Sequence, residues 1–193
     1  MDIQELYLIP NQFSRPGRPL ISVKGIVTHW VGNPKTTAIQ NRNYFDNLRF
    51  QNPTPPKTAV TPAEIKAYAD SLKYASAHFV IGLEGEVVQC LLENEMGHHV
   101  GAVKYTERAL KELSNYPNNC TLGIELCHTN WEGEFTGDTL RAAKVLILEL
   151  CERYNLGRDN IYRHFDITGK DCPRYFVQNE KQWTQFLNFT FGG

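Results

Sequence analysis

Arg163-His164-Phe165-Asp166-Ile167-Thr168-Gly169-Lys170-Asp171-Cys172-Pro173 holds an imidazole and a thiol eight positions apart, with a lysine two residues before the thiol. Asn160-Ile161-Tyr162-Arg163 leads into this stretch as a strand. Thr168-Gly169 reads as a turn, because glycine tolerates φ > 0 and lets the chain fold back. A loop that doubles back can bring His164 and Cys172 to one point. Imidazole nitrogen and thiolate sulfur are the two donor types that Zn²⁺ prefers. Two donors do not fill a tetrahedral site, so a metal reading demands a third from elsewhere. The plain alternative is a surface loop with a half-buried cysteine.

The third candidate lies far upstream. Lys24-Gly25-Ile26-Val27-Thr28-His29-Trp30 reads as a short strand rich in β-branched residues, with His29 at its carboxyl end and Gly32-Asn33-Pro34 breaking it. Strand ends are where sites are assembled on α/β scaffolds. Taken alone, His29 also has a structural reading. Together, His29, His164 and Cys172 make a set that leaves the fourth zinc position open, as catalytic sites do.

At this point the chain resembles the zinc-dependent N-acetylmuramoyl-L-alanine amidases, the group related to bacteriophage lysozyme-type amidases and to peptidoglycan recognition proteins. The matching segments are Gly25 to Trp30, Ala75-Ser76-Ala77-His78-Phe79, Glu93-Asn94-Glu95 through Gly97-His98-His99, Leu122 to Cys127, and Arg163 to Pro173. They stand in the family's order and span most of the chain. The resemblance implies a central mixed sheet of about five or six strands, helices on its faces and a zinc groove at its edge.

Composition sets the wider bounds. A chain of 193 residues, 41% hydrophobic and 21% charged, fits a single domain, 1–193, with length enough for a core. A formal net charge of −1 gives no attraction to nucleic acid or anionic lipid. Five irregularly spaced cysteines argue against a disulfide framework, and Cys90, Cys127 and Cys151 sit in apolar runs as small buried hydrophobes. Met1 to Glu5 has neither the basic nor the apolar region of a secretory signal. No stretch approaches the roughly 18 apolar residues of a membrane span. The expected protein is therefore a monomer with no membrane insertion. It is either cytoplasmic until released to the wall, as an endolysin is, or the catalytic piece of a secreted autolysin.

Along the chain, Ala38 to Phe50 reads as a helix. Asn52-Pro53-Thr54-Pro55-Pro56 stops any regular element. Thr61-Pro62-Ala63-Glu64 is a capping box that opens a second helix to about Leu72. The family connects its first helix to the Ala-Ser-Ala-His segment by a shorter path, so 50–73 is taken as an insertion, either surface decoration or a wall of the groove. Ala77 to Gly82 and Val87 to Leu92 flank Glu84-Gly85-Glu86 as a hairpin. Thr106 to Leu113 is a short helix, Thr121 to Cys127 a central strand, Asp138 to Tyr154 the longest helix, and about Asn179 to Asn188 the last. Strands alternating with helices, plus one antiparallel hairpin, give an α/β fold with a mixed sheet.

Glu125 stands between Ile124 and Leu126 on an apolar strand, where a carboxylate is costly unless something uses it. One use is a buried salt bridge; the other is a general base beside a zinc-bound water, the role the resemblance assigns. Lys170 is either a solvated loop lysine or, as the resemblance implies, the cation that stabilises the developing oxyanion. His78, on the hairpin, suits a core or groove-lining place. Adjacent His98 and His99 must point different ways, and His99 matches the family's groove-lining position. His128 as a fourth ligand would close the zinc, so it stays outside the set.

The activity implied is hydrolysis of the amide between N-acetylmuramic acid and L-alanine in bacterial peptidoglycan by zinc-activated water, with wall lysis as the result. Two rivals stay open: a non-catalytic peptidoglycan-binding module on the same fold, whose relatives generally lack the cysteine ligand, and a thiol hydrolase with Cys172 as nucleophile and His29 or His164 as base.

Overall fold

Six strands form one sheet in the computed structural model, which describes residues 1–192. They are β1 (Ile3–Glu5), β2 (Gly25–Trp30), β3 (Phe79–Ile81), β4 (Val87–Gln89), β5 (Thr121–Leu126) and β6 (Ile161–Arg163). Their order is β1-β4-β3-β5-β2-β6. β3, β5, β2 and β6 run parallel; the β3–β4 hairpin is antiparallel, and β1 follows the direction of β4. The sheet is therefore mixed, as the sequence indicates. β1 is not foreseen: three residues without alternation carry no strand signal.

The described residues form seven α-helices, all but α2 packed about the sheet: α1 (Ala38–Asn47), α2 (Pro62–Ser71), α3 (Glu107–Glu112), α4 (Gly137–Tyr154), α5 (His164–Thr168), α6 (Arg174–Gln178) and α7 (Glu180–Phe191). Alternation along β5 sorts the two sides. Leu122, Ile124 and Leu126 pack with Ala143, Leu146, Ile147 and Leu150 of α4 and with Phe176, Trp183 and Phe186 of α6 and α7. The opposite face is covered by Ala38 and Phe45 of α1 and by Ala109, Leu113 and Ile167 around α3 and α5. Thr121, Gly123 and Glu125 point to this second, less evenly covered side.

The segment 51–73 is an appendage to this body. Its helix α2 has the expected double cap, Thr61 accepting from the Glu64 amide and the Glu64 carboxylate accepting from the Thr61 amide, yet none of its residues is buried. Gln51 closes its neck: Nε2 donates to the Lys73 carbonyl at 2.8 Å and Oε1 accepts from the Lys73 amide at 2.8 Å. All five cysteines are free and buried. No helix among the described residues is long and apolar enough to cross a membrane.

Candidate active site

The carboxyl ends of β2, β5 and β6 meet one cleft of about 410 Å³, lined among others by His29, Glu125, His164, Lys170 and Cys172. Parallel pairing does the assembly. Register sets His29 beside Glu125, and Thr28 beside Arg163, so that His164 follows one residue beyond β6. His164 opens the short helix α5, which Gly169 ends at φ 80, where a side chain would be strained. The expected turn is there, with one helical turn placed before it. Phe165 N–H then donates to the Cys172 carbonyl at 2.9 Å, bringing the thiol back under the imidazole.

Arg163 anchors this loop, a role the sequence reading did not give it. Its guanidinium is buried and bonds Asp166, Glu180 and the Phe176 carbonyl. The signal was available in Asp166, three residues on, a carboxylate spaced to pair with it.

His29 Nδ1 lies 3.1 Å from His164 Nδ1 and 3.7 Å from Cys172 Sγ, and the three donor atoms all fall within 4.8 Å of one another. A tetrahedral zinc with ordinary bond lengths needs N···N of about 3.3 Å and N···S of about 3.6 Å. The two pairs that include His29 match these spacings, and the three residues form a group that could hold a metal ion. Burial presses both imidazoles toward their neutral, metal-binding form: His164 is pushed down to about 3, with the Lys170 charge adding, and His29 is held well below the usual range by burial, then by His164 and His99. Burial pushes the Cys172 thiol up to about 12, the Glu125 charge adding to it.

Glu125 has no ion pair or hydrogen bond at Oε2, which is sealed from solvent. The salt-bridge reading therefore finds no partner here. Burial pushes the carboxyl up to about 8 against the pull of Lys170. An unpartnered acid sharing a cleft with a donor triangle is a candidate for a chemical role.

The remaining histidines divide. His99 lines the cleft and turns its ring on His29, with Nδ1 3.1 Å from His29 Nε2. His78 does not line the cleft and takes the first of its two expected places, in the core. It is fully buried, Nε2 donating to the Glu95 carbonyl at 2.8 Å and Nδ1 accepting from the Gly123 amide at 3.0 Å, so both nitrogens serve the fold. His128 packs tilted against Trp30 with ring centroids 4.6 Å apart, and its Nδ1 bonds the Asn130 carbonyl, away from the donor set. His98 points apart from His99, toward Tyr74.

The sequence signature of N-acetylmuramoyl-L-alanine amidases matches residues 17–175. The chain belongs to the N-acetylmuramoyl-L-alanine amidase family. It is 32% identical over 176 residues to a probable N-acetylmuramoyl-L-alanine amidase of Bacillus licheniformis, covering 91% of this chain and 43% of that one. It is 29% identical over 189 residues to the N-acetylmuramoyl-L-alanine amidase BlyA of Bacillus subtilis (strain 168), covering 94% and 45%. The chain thus spans less than half the length of these relatives. Its fold is shared with PlyL (TM-score 0.71, 18% identity, 100% and 99% of the two chains) and with a mutant endolysin from Bacillus subtilis (0.67, 22%, 98% of each).

Proposed function

We propose that residues 1–193 form one zinc-dependent N-acetylmuramoyl-L-alanine amidase unit, with 50–73 inserted, that hydrolyses the amide between N-acetylmuramic acid and L-alanine of bacterial peptidoglycan. The observation that carries this reading is the His29–His164–Cys172 triangle with the unpartnered Glu125 in the same cleft. His29, His164 and Cys172 would hold Zn²⁺, which lowers the pKa of water toward about 7 and polarises a carbonyl. Glu125 takes the proton of the attacking water on its carboxylate and passes it to the leaving amine nitrogen. Lys170, exposed at the cleft, directs its ammonium at the charge that develops on the carbonyl oxygen. The protein would act as a monomer on muramyl peptides at the cell wall, without nucleic-acid partners.

The thiol-hydrolase reading gains no support from the surroundings of Cys172. A nucleophilic cysteine needs a depressed pKa, whereas the Cys172 thiol is pushed up to about 12. Digestion of purified peptidoglycan followed by end-group analysis tests the proposal. New amino-terminal alanine without new reducing sugar is the expected outcome; new reducing ends would mean glycosidase chemistry and overturn it.

A further inference from the structure

His99 is held more carefully than a groove-lining residue requires. Asn118 Oδ1 accepts from the amides of both His99 and Val100, at 3.1 and 2.9 Å. Gly123 clears the floor beneath the ring: a Cβ there would stand 2.8 Å from His99 Cγ and Nδ1, closer than side chains pack. The far ring nitrogen, Nε2, lies 3.2 Å from the Thr121 carbonyl and 3.2 Å from Thr121 Oγ1. That hydroxyl gives its own proton to the Pro117 carbonyl at 2.8 Å. Both neighbours of Nε2 can therefore only accept, and Nε2 must carry the proton.

The rest follows by elimination. With Nε2 protonated in a neutral ring, His99 Nδ1 is an acceptor. Its one close partner is His29 Nε2 at 3.1 Å, which must donate. His29 Nδ1 is then left as a bare lone pair, and that is the atom facing His164 and Cys172.

We propose that His99 is a positioning residue. Through a chain from the Thr121 carbonyl to His99 to His29, it fixes the His29 tautomer that presents Nδ1 as a metal donor. The inference rests on the reading of His29 as a zinc ligand. Outer partners of this kind set ring orientation and ligand basicity, and their loss typically weakens metal binding by about 10–100-fold.

The test uses two variants and one measurement independent of activity. His99→Leu removes the acceptor. His99→Asn places Oδ1 where Nδ1 stood and keeps it. Zinc affinity, read by competition with a chromophoric chelator, is expected to fall about 10–100-fold in His99→Leu and to recover most of that loss in His99→Asn. In the metal-free wild-type protein, ¹⁵N chemical shifts should report His29 protonated at Nε2. Wild-type zinc affinity in His99→Leu, equal losses in both variants, or a His29 protonated at Nδ1 would each overturn the proposal. A wild-type chain that binds no zinc would instead overturn the metal reading, and the tautomer in the metal-free protein would still decide the relay.

Discussion

His29 and Glu125 are register partners on adjacent parallel strands, β2 and β5. Parallel neighbours in register project to the same side of the sheet, so the ladder itself fixes a candidate metal donor and an unpartnered acid about one strand spacing apart. No loop has to find this arrangement. The two side chains stand on regular strands of the sheet, where position is less free to drift than on a loop.

Glu125→Gln keeps the size of the side chain and removes its proton acceptor. Zinc content and melting temperature are expected to stay near wild type, while turnover on peptidoglycan falls by roughly 10²–10⁴-fold. Near-normal turnover would take Glu125 out of the mechanism. Early melting with zinc loss would make it a structural residue.

The same carboxyl predicts a pH dependence of stability in the metal-free protein. Its pKa rises from an ordinary 4.5 to about 8 on folding, so its contribution is fully present below about 4.5 and is lost as pH rises through about 8. The buried histidines act in the opposite sense. His78, at about 4, and His164, at about 3, contribute stability above their ordinary 6.5 that is lost as pH falls through those values. Denaturant midpoints should therefore decline on the alkaline side in wild type and stay flat there in Glu125→Gln, with the acid-side decline common to both. An equal alkaline decline in the two chains would show the carboxyl to be ionised in the fold.

Zinc uptake is expected to release protons at neutral pH. The two imidazoles are already neutral, so they release none; the Cys172 thiol, pushed up to about 12, must give one up to become a ligand. Glu125, held up to about 8, adds part of a second as it ionises beside the ion. Calorimetry in buffers of different ionisation enthalpy measures the number. A value near zero would remove the Cys172 thiolate from the ligand set.

Replacing residues 52–72 by a short Gly-Ser link between Gln51 and Lys73 should leave the melting temperature within a few degrees of wild type. The helix removed buries nothing, and its neck is already closed by paired hydrogen bonds. Activity should change between walls of different composition, since Phe45, Tyr74 and Ala75 on either side of the insertion line the cleft. A collapse in stability would show that α2 belongs to the core.

Much of this was legible in the residues, for identifiable reasons. β2 and β5 announce themselves through β-branched and aliphatic runs, and Thr61 and Glu64 through capping chemistry whose partners are three residues apart. The His29, His164 and Cys172 set could be proposed because zinc chemistry restricts donor types severely. The place of His78 could not be read, because a buried histidine satisfied by two backbone groups looks the same in sequence as one facing solvent. Nor could the partnership of His99 with His29, which depends on a loop seventy residues downstream being pinned by Asn118. Arg163 fell between these cases: its local partner Asp166 was visible, its distant partner Glu180 was not.

The alternation of β5 has a consequence for how this chain tolerates change in length. Core-facing Leu122, Ile124 and Leu126 interleave with Thr121, Gly123 and Glu125, so the strand carries two messages on odd and even positions. Loss or gain of a single residue at its start would exchange the two sets. The carboxylate would be driven into the hydrocarbon packed against α4, and an isoleucine or leucine would take its place beside His29. Substitutions here can erode the chemistry by degrees, but a one-residue shift inverts it. The function of this strand is written in its parity.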